Sequence, residues 1–315
     1  MTFRTSLLAL AAAMLPLAAP AALAAEPDSC RSIRMSDPGW TDISATTGLT
    51  TTVLKALGYE PEVTVLSLPF TFASLASDDL DVFLGYWHPS MIADLRPYAE
   101  AGTIDTVRTN LTGAKYTLAT NQAGVEAGIT DFASIAAQRD VLEGRIYGIE
   151  PGNDGNRLLL DMIAADQFGL GTFELVESSE QGMLAQVARA DAAGKPVVFL
   201  GWEPHPMNER FEMTYLPGGD EIFGPDLGGA EVRTTTRAGY VAECPNVGRL
   251  LQNLEFTLAM ENEIMGAILD EGRDPEAAAR DWLKAHPEVA GQWLEGVTTI
   301  DGGDAQAALT AALEG

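Results

Sequence analysis

Two strand ends written almost alike constrain this chain more than any other feature. "DVFLGYWHP" covers 81–89 and "VVFLGWEPHP" covers 197–206. Each is a short apolar run ending in Gly, followed by an aromatic residue at a turn and then His-Pro. Apolar runs of this length, bounded by turn signals, read as buried strands. One strand end is therefore built twice, in separate units, with Trp87 on one copy and Trp202 on the other.

Each copy closes a series of alternating strands and helices. In the first, "SIRMS" (32–36) reads as a strand. Leu49, Val53, Leu54 and Leu57 then share one face of a helix over Ser44–Gly58, and "EVTVLSL" (62–68) is the next strand. A short helix over 71–76 leads into the first copy. In the second unit "YTLAT" (116–120) crosses in, and "GRIYGIEPGNDGN" (144–156) runs from a strand into a Gly-rich turn. "NRLLLDMIAADQFGL" is a helix, "ELVES" a strand and "EQGMLAQVARADAAG" a helix, before "PVVFLGW" closes the unit. Alternation of this kind implies parallel strands with helices on both faces. From about residue 213 the chain returns to the first unit, and the tail from Val247 is mostly helical, with Asp274 and Asp304 as caps.

The start of the chain has a different character. Arg4, the apolar run Leu7–Leu17 and the small residues "ALAA" (22–25) make a secretory signal peptide over 1–25. Its removal leaves about 290 residues, and no later stretch is long and apolar enough to span a bilayer. The net charge of −26 becomes −27 once Arg4 is lost, which argues against a nucleic-acid partner, since binding phosphates needs Lys and Arg. The two cysteines, Cys30 and Cys244, suit an oxidising compartment. If bridged, they put the N-terminal and post-212 segments in one lobe, 26–115 with 213–315, and leave 116–212 as the second. Two strands crossing between the lobes then form a hinge over a cleft.

Ligands of such sheets bind beyond the carboxyl ends of the strands. Trp40 and Asp42 in "DPGWTD", Trp87, Asn153 in "EPGNDG" and Trp202 all take that position, and Tyr116 opens the second lobe near a crossing. An aromatic cleft suits sugars, aromatic molecules or a methylated cation. A quaternary ammonium has no N–H to donate, so it binds through its methyls on ring faces. His88, His205 and His286 show no metal-ligand spacing, and His88 and His205 read as turn residues before proline. "GNDGN" lacks the lysine of a P-loop. No metal and no cofactor is expected, and no nucleophile–base pair marks an enzyme.

"DPGWTD" with its Thr-rich helix, "FLGYWHPSM", "EPGND" and "GWEPHPMN" together resemble substrate-binding proteins of ABC importers for glycine betaine and choline. The likeness is greatest to the periplasmic choline-binding proteins of alphaproteobacteria and runs over essentially the whole mature chain. The resemblance implies a type II periplasmic-binding-protein fold, two α/β lobes joined by a two-crossing hinge, in a monomer that serves an ABC permease. It also implies a box of Trp40, Trp87, Tyr116 and Trp202 around a trimethylammonium, with Asp42 and Asn153 on the choline hydroxyl. Asp42 favours choline over glycine betaine, whose carboxylate it would repel. Trimethylamine N-oxide, dimethylsulfoniopropionate and glycine betaine are the alternative ligands, and an exported hydrolase of choline esters is the alternative class.

Overall fold

The computed structural model describes residues 26–315, so the expected signal segment 1–25 lies outside the described residues. Nine strands form one sheet: β1 (Ser32–Asp37), β2 (Glu60–Val65), β3 (Val82–His88), β4 (Ile104–Asn121), β5 (Arg145–Tyr147), β6 (Glu174–Val176), β7 (Val198–Glu203), β8 (Met213–Tyr215) and β9 (Gly229–Arg237). Their order is β2-β1-β3-β9-β4-β7-β5-β6, with β8 on β4. β1 is parallel to β2 and β3, and β5 is parallel to β6 and β7, as the alternating pattern predicts. Between these two parallel groups lie β4 and β9, antiparallel to each other and to their outer neighbours.

Of this middle pair the sequence reading found only the end of β4, in "YTLAT", and missed β9 and the rest of β4. β9 reads "GAEVRTTTR", with no apolar run, yet Thr234, Thr235 and Thr236 are fully buried. β-branched threonines pack well on a pleated surface once their hydroxyls find partners, and Thr235 donates to the Phe83 carbonyl at 3.3 Å. β4 is 18 residues long, far beyond "YTLAT". Its first part pairs with β9 and its last part with β7, so one strand links the β9 side of the sheet to the second parallel group. The β4–β9 ladder shifts register three times, between Thr106/Arg108, Thr109/Leu111 and Leu111/Ala114.

Helix α1 (Thr41–Ala56) begins before the expected Ser44, because the Ser44 hydroxyl turns back to Asp37 Oδ2 at 2.6 Å instead of capping a helix. Leu49, Val53, Leu54 and Leu57 are buried as predicted. The threonines of α1 are buried too. Thr50 and Thr52 donate to the carbonyls of Thr46 and Gly48, four residues back, which lets a polar face enter the core. "EVTVLSL" yields a strand only to Val65, since Leu68 and Pro69 open α2 (Leu68–Ala76). Helix α3 (Ile92–Glu100) follows β3. In the tail, Asp274 and Asp304 cap their helices by accepting from the Ala277 and Ala307 N–H groups.

Cys30 and Cys244 form a disulfide across 214 residues, which ties the start of β1's unit to the segment after β9. β8 pairs with the Ala119–Asn121 end of β4, and the Leu216 N–H bonds to the Leu118 carbonyl. Pairing with β3 and the first part of β4 resumes only at β9.

Candidate functional site

The loop between β1 and α1 is held by one carboxylate. Asp37 accepts from the Gly39 N–H at 2.7 Å and from Ser44, which stitches the strand end to the first turn of the helix. Gly39 takes φ +90, the left-handed region that favours glycine. The turn delivers Trp40 as the N-cap residue of α1 and Asp42 one position inside, both buried.

Asp42 meets the end of β3. The Trp87 indole N–H donates to Asp42 Oδ2 at 3.1 Å, while Asp42 Oδ1 is buried with no partner in the protein. A buried carboxylate oxygen without a donor is unfavourable unless a ligand supplies one. Burial, with Glu180 nearby, pushes the Asp42 carboxyl up to about 8.

The second unit brings Asn153 and Tyr116. Asn153 caps the helix Asp154–Ala164, its Oδ1 accepting from the Asn156 N–H at 3.1 Å and from the Tyr116 hydroxyl at 2.9 Å. Because a backbone donor fixes which amide atom is oxygen, its nitrogen is the atom that donates to Asp154 Oδ1 at 3.1 Å and keeps a second N–H. The Asn156 side chain bonds to Ile149 and Glu150 and holds the Gly-rich turn in shape. Two glycines admit Tyr116: a Cβ on Gly155 would lie 2.0 Å from its hydroxyl, and one on Gly228 2.0 Å from its carbonyl oxygen.

Three rings converge here. Tyr116 lies 5.8 Å from Trp87 and 6.4 Å from Trp202 between centroids, the latter edge-on. All three are buried. Trp40 joins from the first unit by donating its indole N–H to Glu150 Oε1 at 2.7 Å, across to the Gly-rich turn. His205 sits edge-on to Trp202 at 4.8 Å. The Met207 N–H donates to its Nδ1 at 2.9 Å, the turn bond expected of it.

The field of the site is negative. Burial raises the carboxyls of Asp37 and Glu150, takes Asp154 up to about 7, and holds Glu261, with Asp42 beside it, well above the ordinary range. A cation among these groups would favour the ionised form of each.

The six residues predicted for the site, Trp40, Asp42, Trp87, Tyr116, Asn153 and Trp202, thus lie on linked contacts, five of them at strand ends and helix starts and Tyr116 inside β4. Sequence reasoning did not single out Glu150, Asp154, Glu180 or Phe223. Glu150 and Asp154 lay within the quoted "EPGND". Phe223, 6.2 Å from Tyr116, and Glu180, which touches Thr41 and His205, carry no local signal, because their partners are distant in sequence. Trp293 is buried in the helical tail, and Trp282 is half-buried there and stacked on His286. Among the described residues Cys30, Glu243 and Cys244 are close enough to share a metal, but the two sulfurs are spent in the disulfide.

The chain as a whole is similar to solved proteins. A solved ABC-transporter choline binding protein in complex with choline is 63% identical, with 91% of this chain and 100% of that one covered, at a TM-score of 0.91. An ABC-transporter choline binding protein in an unliganded semi-closed conformation, also 63% identical, covers 91% of this chain and 99% of its own at 0.84. The glycine betaine/carnitine transport binding protein GbuC of Listeria monocytogenes is 29% identical over 176 residues, 55% of this chain and 57% of that protein. The fold is therefore the mixed α/β periplasmic-binding-protein fold. Since a model of the substrate binding domain of ABC-type glycine betaine transport systems matches residues 31–285, the chain belongs to that family of transport binding proteins.

Proposed function

We propose that this chain is an exported periplasmic protein that captures choline in an aromatic box between two lobes and delivers it to the permease of an ABC importer. It acts as a monomer and performs no chemical step on its cargo. The lobes are 26–115 with 213–315, and 116–212, with the pairing of β8 on β4 moving the return crossing toward Gly229.

The observation that carries this reading is the unpartnered, buried Asp42 Oδ1 beside Trp87. Choline has a cationic head with no N–H and a hydroxyl. The head presses its methyls on Trp40, Trp87, Tyr116 and Trp202, each face contributing roughly 0.5–1 kcal/mol when exposed and about 2 when desolvated. The hydroxyl donates to Asp42 Oδ1 and accepts the spare N–H of Asn153, so both of its hydrogen-bonding roles are met. Glycine betaine would set a carboxylate against Asp42, Glu150 and Glu180. Trimethylamine N-oxide and dimethylsulfoniopropionate also bring acceptors where an acceptor already stands. The better match to the choline complex than to the semi-closed unliganded form, 0.91 against 0.84, supports reading the described conformation as the closed one.

Calorimetric titration of residues 26–315 with choline, glycine betaine, trimethylamine N-oxide and dimethylsulfoniopropionate tests the assignment. Choline is expected to bind tightest. Tighter binding of glycine betaine would sink the ligand choice, and hydrolysis of choline esters would sink the class.

A further inference from the structure

Helix α1 begins without a cap of its own. Its N-cap residue is Trp40, whose side chain accepts nothing, so the first N–H groups of the helix need an acceptor from elsewhere. They receive it from the other unit. Glu180, in the first turn of the helix Glu180–Ala192, accepts from the Thr41 N–H through Oε2 at 2.9 Å and from the Thr41 hydroxyl through Oε1. Oε1 also faces His205 Nε2 at 3.3 Å. Because Nδ1 of His205 is an acceptor for the Met207 N–H, the ring proton sits on Nε2 and is donated to Glu180. Glu180 and His205 are both about 1% exposed.

One carboxylate thus receives three donors from both sides of the box. Thr41 lies between Trp40 and Asp42, and His205 packs on Trp202. We propose that Glu180 is a positioning residue that couples the two jaws: it caps α1 from the opposite unit only when the halves are closed, and thereby holds the box shut around its ligand. The proposal rests on the binding function above. Opening the cleft withdraws the carboxylate, leaving the α1 terminus to water, so the contact belongs to the closed, ligand-bound state.

Glu180→Gln tests this with little change of shape. Gln has one oxygen for three donors, and its NH₂ must face either Thr41 or the His205 Nε2–H, whose tautomer the Met207 bond prevents from switching. Unmodified protein is first titrated with choline and glycine betaine, and the tighter ligand becomes the probe. A wrong ligand assignment shows in that step and leaves the Glu180 comparison intact. Dissociation and association rates are then read by stopped-flow tryptophan fluorescence. Losing a buried charge partner acts mainly on dissociation, so E180Q should raise the off-rate about tenfold with the on-rate within about twofold. The melting temperature of the ligand-free protein should stay near that of the unmodified protein. In a His205→Phe background, which keeps a ring under Trp202 but removes the Nε2–H, the E180Q effect should shrink by about threefold or more. Thr41→Val provides a second, smaller increase in off-rate should E180Q fold poorly. Off-rates within about twofold of unmodified protein for both E180Q and T41V, or an equal loss of stability with and without ligand, would overturn the proposal.

Discussion

Asp42 and Trp87 share a 3.1 Å hydrogen bond in which the indole N–H of β3's end donates to the carboxylate of α1's first turn. The bond orients the ring with one carboxyl oxygen and leaves the other buried with no partner in the protein. Aromatic face and acceptor are therefore a single device, and disturbing either residue disturbs both functions.

Removing a ring face should be costly. Trp87→Ala and Trp202→Ala are each expected to weaken choline binding at least about tenfold, about 1.4 kcal/mol, in calorimetric titration. Trp87→Ala should be the worse of the two, since it also frees Asp42 Oδ2. Unchanged affinity in both variants would remove the aromatic box from the account.

Asp42→Asn keeps an acceptor but loses the charge. Measured above about pH 8, where Asp42 is ionised, choline affinity should fall while glycine betaine affinity falls less or rises, because the repulsion of its carboxylate disappears. The ratio of the two dissociation constants, measured on the same preparations, reads the effect. A ratio equal to that of unmodified protein would count against Asp42 as the selecting group.

The pH dependence has a definite sign. With its carboxyl pushed up to about 8, Asp42 keeps a proton in the ligand-free protein through neutral pH. A cation favours the ionised form, so choline affinity should rise with pH, by at most about tenfold per unit, and level off above about 8. The same shift makes the native state hold this proton longer than the unfolded chain. The contribution of Asp42 to stability is thus greatest below its ordinary value of 3.8 and declines as pH rises toward about 8, in the absence of ligand. Calorimetry and thermal melts across that range check both, and D42N should flatten both curves.

Gly155→Ala should act on Tyr116. The added Cβ would fall 2.0 Å from the tyrosine hydroxyl, so the ring must leave Asn153 or the helix must shift. A loss of choline affinity of roughly tenfold or more is expected, with circular dichroism unchanged.

Cys30→Ser should lower the melting temperature and leave choline affinity nearly unchanged, because the disulfide lies away from the box. In the chain-entropy model a loop this long contributes about 5 kcal/mol at most. Melting curves with and without reductant on the unmodified protein provide the control.

Much of the candidate site was legible because its residues sit at local landmarks. Trp87 and Trp202 end apolar runs, Asn153 stands at a cap position, and Trp40 and Asp42 follow a Gly turn, all signals contained in a few neighbouring residues. Glu180 gave no such signal. It reads as an ordinary first-turn acid, and its importance comes from Thr41 and His205, which only the folded chain brings to it. β9 was hidden for a related reason: "RTTTR" is polar by composition, and burial follows from its place between β3 and β4 rather than from its own hydropathy. The start of α1 was placed three residues late because the apolar face that marks the helix begins only at Leu49, while Thr41–Ile43 already belong to its first turn.

β4 runs unbroken from its pairing with β9 to its pairing with β7, but its ladder with β9 is already interrupted three times between Thr106 and Ala114. Interrupted pairing twists and bends more readily than a regular ladder. Flexing concentrated there would leave the register from Lys115 to Thr120 against β7 intact, and Tyr116 lies within that register. The compliant stretch thus ends just short of Tyr116, the tyrosine of the candidate site. The molecule can bend like a wrist, with the palm of the candidate site kept rigid.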